Sequence, residues 1–181
     1  MYAYHVVTDS PMVVGQKIVF DETHHSGVYK RAYERLDIVN DIYAHPEKYD
    51  PEKTEYLTMV ALRELALEEV RKEKYPQYPS RMACLYTSQT YEEAEKWGWY
   101  FSTHGRPTYS IVKLEFDGNF FIGDATKCFD GLPYKEENLK LAELYWKNGP
   151  NPPDEPPIVE MLIDGNITVV EVLKEINANI G

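Results

Sequence analysis

Cysteine is scarce in this sequence. Its 181 residues include two cysteines, Cys84 and Cys128, which are too few and too far apart for a disulfide scaffold or a cysteine-based zinc motif. Proteins of reducing compartments have little use for a disulfide. We therefore expect two free thiols and a cytoplasmic protein.

Long apolar runs and an excess of basic residues are also absent. No stretch approaches 18 apolar residues, and the opening MYAYHVVTDSP lacks the basic start and apolar run of a signal peptide. The 19 basic residues face 30 acidic ones, for a net charge of −11. The absence of a basic stripe argues against non-specific DNA binding and against binding to an anionic membrane surface.

Several catalytic and metal-binding motifs are missing as well. The sequence contains no G-x-x-x-x-G-K-[ST], G-x-G-x-x-G, H-E-x-x-H or G-x-S-x-G. The neighbours His24 and His25 would point apart in an extended loop, so a single metal ion would rarely bind both. We therefore predict no metal site.

The residues that are present predict an α+β protein. Hydrophobic residues make up 43% and aromatic residues 13%, enough to form a sizeable core. Strands and helices do not alternate strictly, so we expect a small mixed, mostly antiparallel curved sheet rather than a doubly wound one. The length predicts a single domain over residues 1–181.

Apolar spacing predicts helices over residues 28–43 and 51–73, which together form a helical insert at about 28–74. The second helix has a charged outer face that includes Glu64 and Glu68, and the amphipathic pattern predicts that this face is solvated.

The clearest strand signal is the alternation over residues 108–116. Asp117–Gly118 is typical of a tight turn, so residues 119–122 are predicted to be the hairpin partner. A further helix over 91–102 is predicted to begin with a capping box formed by Thr90 and Glu93.

Two strand residues are candidates for a ligand site. His5 lies in a strand at the start of the chain, and Tyr86 ends a short strand just before the helix of residues 91–102, a position where ligands collect in mixed sheets. Both residues could instead be packed core residues, and this alternative stays open.

Three segments, in this order, resemble ADP-ribosyltransferase-like domains, especially the rifamycin ADP-ribosyltransferases: YHVVTDSPMVVGQKI, LYTSQTYEEAEKW and YSIVKLEFDGNFFIGDATKCFDG. The ending PPIVEMLIDGNITVVEV is similar to the last strand pair of that fold. Where those domains usually have His-Gly-Thr, this sequence has His5-Val6-Val7-Thr8. The whole chain also resembles a bacterial family of unknown function.

The resemblance implies a site for NAD as a substrate. The implied NAD-binding residues are His5, Thr8, Tyr86 and Ser88. The implied catalytic acid is Asp124, which matches the rifamycin-enzyme pattern, or Glu160, which would match the acid of other members of the superfamily. Asp124 is preferred, and both stay open.

The function implied by the resemblance is transfer of ADP-ribose from NAD to an acceptor, which could be a protein, a nucleic acid or a small molecule. Cleavage of the nicotinamide–ribose bond creates an oxocarbenium-like centre that a nearby carboxylate can stabilise. The alternative is a non-catalytic binding or interaction module on the same fold, which the acidic insert and the many tyrosines would suit. Titration with NAD distinguishes the two.

Overall fold

The secondary structure confirms the α+β class. The computed structural model describes residues 1–8 and 10–176. The helices are α1 (Gly27–Tyr33), α2 (Leu36–Ala44), α3 (Tyr56–Lys74), α4 (Tyr91–Thr103) and α5 (Lys135–Lys147). The strands are β1 (Tyr2–Val7), β2 (Lys17–Ile18), β3 (Leu85–Thr87), β4 (Ser110–Phe116), β5 (Phe120–Asp124), β6 (Val159–Ile163) and β7 (Ile167–Glu175).

The strands form two sheets, with the orders β1-β4-β7-β2 and β3-β6-β5. The pairs β1–β4, β4–β7, β2–β7 and β3–β6 are all antiparallel. One further antiparallel bridge joins Tyr4 of β1 to Ser88, the residue that follows β3. The edge strands of the two sheets therefore meet at this bridge.

A hydrophobic core lies between the inner faces of the two sheets. Ala3, Val7 and Leu114 contribute to it from one sheet, and Met161 and Ile163 contribute from the other. Side chains alternate between the two faces of a strand. The opposite face of the first sheet therefore presents other residues, which are covered by α4: Val6 and Ile111 pack against Ala94.

The chain divides into two compact units. The first comprises Met1–Phe20, Leu85–Ile122 and the chain from Val159 onward, and the second comprises Asp21–Cys84 and Gly123–Ile158. Helices α1 to α3, which occupy the predicted insert, belong to the second unit together with α5.

The two predicted helices of the insert have different boundaries in the structure. The backbone leaves the helical conformation at Arg35, where φ is −112° and ψ is 11°, so the first run is divided into α1 and α2. The second helix begins at Tyr56 rather than Pro51. Asp50 accepts a hydrogen bond from the Glu52 N–H, which favours a turn at this position.

The charged face of α3 is partly buried, so the prediction that it is solvated is wrong. Glu64 is only 1% exposed and Glu68 only 7% exposed. Arg81 donates to both Glu64 oxygens at 2.8 and 3.2 Å, and Arg71 donates to both Glu68 oxygens at 2.9 Å. Two-point pairing with arginine allows these carboxylates to be buried.

The predicted hairpin of β4 and β5 is also wrong, because the two strands belong to different sheets. Asp164 accepts a hydrogen bond from the Asn119 N–H at 2.7 Å. A Cβ atom on Gly118 would overlap the Asp164 carbonyl oxygen. The turn after β4 thus packs tightly against the turn after β6, and the chain passes between sheets here instead of returning along β4.

Cys84 and Cys128 are not joined in a disulfide, as predicted. Within residues 1–8 and 10–176, no helix combines the length and the apolar character needed to cross a bilayer.

Candidate functional site

His5 lies in the middle of β1, opposite Val112 of β4. Its Nδ1 atom is 2.8 Å from the carbonyl oxygen of Tyr86. A carbonyl oxygen can only accept a hydrogen bond, so Nδ1 carries a proton and donates it to Tyr86. This bond fixes the orientation of the imidazole ring.

Tyr86 and Ser88 lie where β3 ends. Tyr86 is half-buried and lies opposite Leu162 of β6. Ser88 is 2% exposed, and its backbone N–H and carbonyl both pair with Tyr4, at 2.8 and 2.9 Å. The end of β3 is therefore held against β1 by backbone bonds as well as by His5. We call this meeting point of β1, β3 and β6 the strand junction.

Glu160 is the second residue of β6 and is 8% exposed. The last register pair between β3 and β6 joins Thr87 to Met161, so Glu160 lies one residue beyond it. β3 lies between β1 and β6, since it bridges β1 at Ser88 and pairs with β6. A carboxylate with so little exposure is uncommon for a strand residue.

Strand alternation determines which of these side chains share a face. Met161 and Ile163 enter the core between the sheets, so Tyr86, Leu162 and Glu160 point away from that core. His5 belongs to the opposite set, since Ala3 and Val7 of the same strand enter the core. The structure thus brings Tyr86 and Glu160 to one face, and it connects His5 to them through the Tyr86 carbonyl.

Thr8 directly follows β1 and is 8% exposed. The carbonyl of the preceding Val7 accepts a hydrogen bond from the Tyr109 N–H at 2.8 Å. Thr8 therefore lies three residues from His5, at the end of a well-paired strand.

Asp124 belongs to the second unit, whereas His5, Thr8, Tyr86, Ser88 and Glu160 all belong to the first. Asp124 is 2% exposed. Its Oδ1 atom accepts from the N–H groups of Thr126 and Ile158 at 2.9 and 3.0 Å, and Oδ2 accepts from the Asn151 side-chain amide. The carboxylate therefore links the turn after β5, the proline-rich loop and the residue before β6.

These bonds also determine the acidity of Asp124. Burial by itself raises the pKa of a carboxyl group, but the hydrogen bonds from Asn151, Thr126 and Ile158 outweigh burial and hold the pKa of Asp124 below its ordinary value of 3.8. Asp124 is thus an ionised group whose oxygens are occupied within its own loop.

Sequence reasoning did not single out two side chains at the strand junction. Trp97 of α4 donates its indole N–H to the Val159 carbonyl at 3.1 Å, and Thr87 donates its hydroxyl to the Met161 carbonyl at 3.0 Å. Trp97 lies in the helix that the sequence predicts over residues 91–102. Its hydrogen bond depends on how α4 packs in three dimensions, which no local signal specifies.

Together, fold and site define an α+β protein with a two-sheet unit whose edge strands meet at a junction bearing histidine, tyrosine and glutamate. The chain belongs to the family described as "Protein of unknown function (DUF2441)", whose model matches residues 3–177. No curated protein matches the chain. Among the described residues, no group of three or more His, Cys, Asp and Glu could hold a metal ion.

Proposed function

We propose that the protein binds NAD at the strand junction and transfers its ADP-ribose to an acceptor. The observation that supports this best is the presence of His5, Tyr86 and Glu160 on adjacent strands of one compact unit.

In this proposal, each residue has a role that follows from its chemistry. His5 forms a hydrogen bond with a ribose hydroxyl through its imidazole ring, which the Nδ1 bond to Tyr86 orients. The Tyr86 ring offers a face for the cationic nicotinamide ring. Ser88 and Thr8 offer hydroxyl groups to the ribose or the carboxamide.

Glu160 is the catalytic acid in this proposal. The bond between nicotinamide and ribose breaks with its electron pair leaving on nicotinamide, and positive charge develops on the ribose. A buried carboxylate stabilises that charge more than an exposed one, because water screens it less. The acceptor then attacks the ribose carbon and loses its proton.

Glu160 is preferred to Asp124 because it lies in the unit that contains His5 and Tyr86 and shares a face with Tyr86.

The test is to measure NAD binding by calorimetry and nicotinamide release by chromatography in the wild-type protein and in Glu160→Gln. We expect Glu160→Gln to bind NAD but to lose roughly 10²–10³-fold in turnover, because the amide removes the charge and keeps the shape. Glu171→Gln is the matched control, since Glu171 is an exposed glutamate of the same unit.

Three results would change the assignment. A wild-type protein that binds NAD without releasing nicotinamide, with or without cell extract as the source of acceptor, would favour the non-catalytic module. Absence of NAD binding would overturn the proposal. Loss of turnover in Asp124→Ala, with full activity in Glu160→Gln, would return the catalytic role to Asp124.

A further inference from the structure

The residues on both sides of Glu160 have carbonyl groups that accept hydrogen bonds from side chains. Trp97 donates to Val159 at 3.1 Å, and Thr87 donates to Met161 at 3.0 Å. In a strand, the carbonyls of residues i and i+2 point to the same edge. Thr87 therefore holds this edge of β6 where its pairing with β3 ends, and Trp97 holds it two residues further along the strand.

Trp97 is itself held firmly. Helix α4 begins with the Thr90–Glu93 capping box, in which each residue satisfies a backbone N–H of the other. Trp97 packs against the cluster of Val6, Ala94 and Ile111. Its indole N–H is therefore a fixed donor rather than a mobile surface group.

We propose that Trp97, assisted by Thr87, is a positioning residue for Glu160 in the NAD reaction proposed above. Holding the two neighbouring carbonyls restricts the backbone dihedral angles around Glu160 and so directs its side chain. Small errors in the position of a catalytic group can cost about 100-fold in rate. Trp97 contacts neither NAD nor the acceptor in this proposal and acts only through the backbone of β6.

The test compares Trp97→Phe with Trp99→Phe. Phenylalanine keeps an aromatic ring at position 97 but has no N–H group to donate. Trp99 is two residues away on the same helix and is 70% exposed, so its substitution is a matched control. We expect Trp97→Phe to lower kcat for nicotinamide release by about 10- to 100-fold with little change in the Kd for NAD, and Trp99→Phe to change neither.

A second measurement is independent of activity. Amide hydrogen exchange at Val159, Glu160 and Met161, followed by NMR, should accelerate in Trp97→Phe and stay unchanged in Trp99→Phe. Thr87→Val removes the other donor at nearly constant volume and should accelerate exchange at the same strand. It also serves as the second variant if Trp97→Phe does not fold.

The outcomes separate this inference from the proposed function. If the wild-type protein releases no nicotinamide, the proposed function fails and the role of Trp97 in catalysis fails with it, whatever the exchange rates. If the wild-type protein is active, then unchanged kcat or unchanged exchange in Trp97→Phe overturns the positioning role. An equal loss of kcat in Trp99→Phe would also overturn it, because that loss could not arise from the Val159 bond.

Discussion

At the scale of single residues, the two candidate acids differ in what their positions allow. Asp124 begins a short 3-10 helix at Ala125–Lys127 and accepts the Thr126 N–H in the manner of a helix cap. Glu160 lies within a strand, one residue beyond the last β3–β6 register pair. The sequence places a carboxylate in both segments. It is the hydrogen bonds of Asp124, seen in the structure, that identify this residue as a structural link.

The hydrogen bonds of Asp124 predict a pH-dependent contribution to stability. Because its pKa is lower in the folded protein than its ordinary value of 3.8, this contribution is fully present above that value and is lost as the pH falls through the folded pKa. Asp124→Asn should destabilise the protein by about 1–2 kcal/mol at pH 7, and the difference from wild type should shrink below about pH 3.8. Chemical denaturation at pH 7, 4 and 3 measures both.

Asp154→Asn is the control for that series, because Asp154 is an exposed residue of the loop that Asp124 holds. At pH 7, Asp124→Asn should lower the free energy of unfolding and Asp154→Asn should leave it unchanged. A constant effect of Asp124→Asn at all three pH values would contradict the role assigned to its charge.

His5 predicts a change in binding. If His5 bonds a ribose hydroxyl, His5→Ala should weaken NAD binding by about 3- to 10-fold, the loss of one hydrogen bond of about 0.5–1.5 kcal/mol. His104→Ala, at an exposed histidine of the same unit, should bind NAD normally. Unchanged affinity in folded His5→Ala would remove His5 from the site, whereas failure of this variant to fold would identify a core histidine.

At the scale of elements, the local features of a helix were easier to predict than the distant residues that its side chains contact. The capping box of α4 is present as predicted, with the Thr90 hydroxyl accepting the Glu93 N–H. Local signals of this kind act within one turn of the chain, so they can be read from the sequence. The burial of Glu64 could not be read in the same way, because it depends on Arg81, which lies 17 residues away.

The turns between the sheets predict a large effect of a small substitution. Gly118 has no room for a Cβ atom beside the Asp164 carbonyl, so Gly118→Ala should destabilise the protein by about 1–3 kcal/mol through overpacking. Gly149→Ala, where a Cβ atom would meet nothing within 4 Å, should change stability by less than about 1 kcal/mol. Thermal unfolding of the two variants provides the comparison, and equal effects would contradict the close packing of the two turns.

At the scale of the whole molecule, composition and periodicity determined the α+β class, the position of α4 and the strand character of β1 and β4. These properties depend on interactions between residues close in sequence or on the summed apolar content. The sequence also supplied His5, Tyr86 and Glu160 as candidates. Only the tertiary structure decided that β4 and β5 belong to different sheets, that Glu64 is buried, that Asp124 links its own loop and that Trp97 bonds Val159. Each of these depends on contacts between residues far apart in the chain, and neither hydrophobic periodicity nor turn chemistry specifies which distant segment a residue meets.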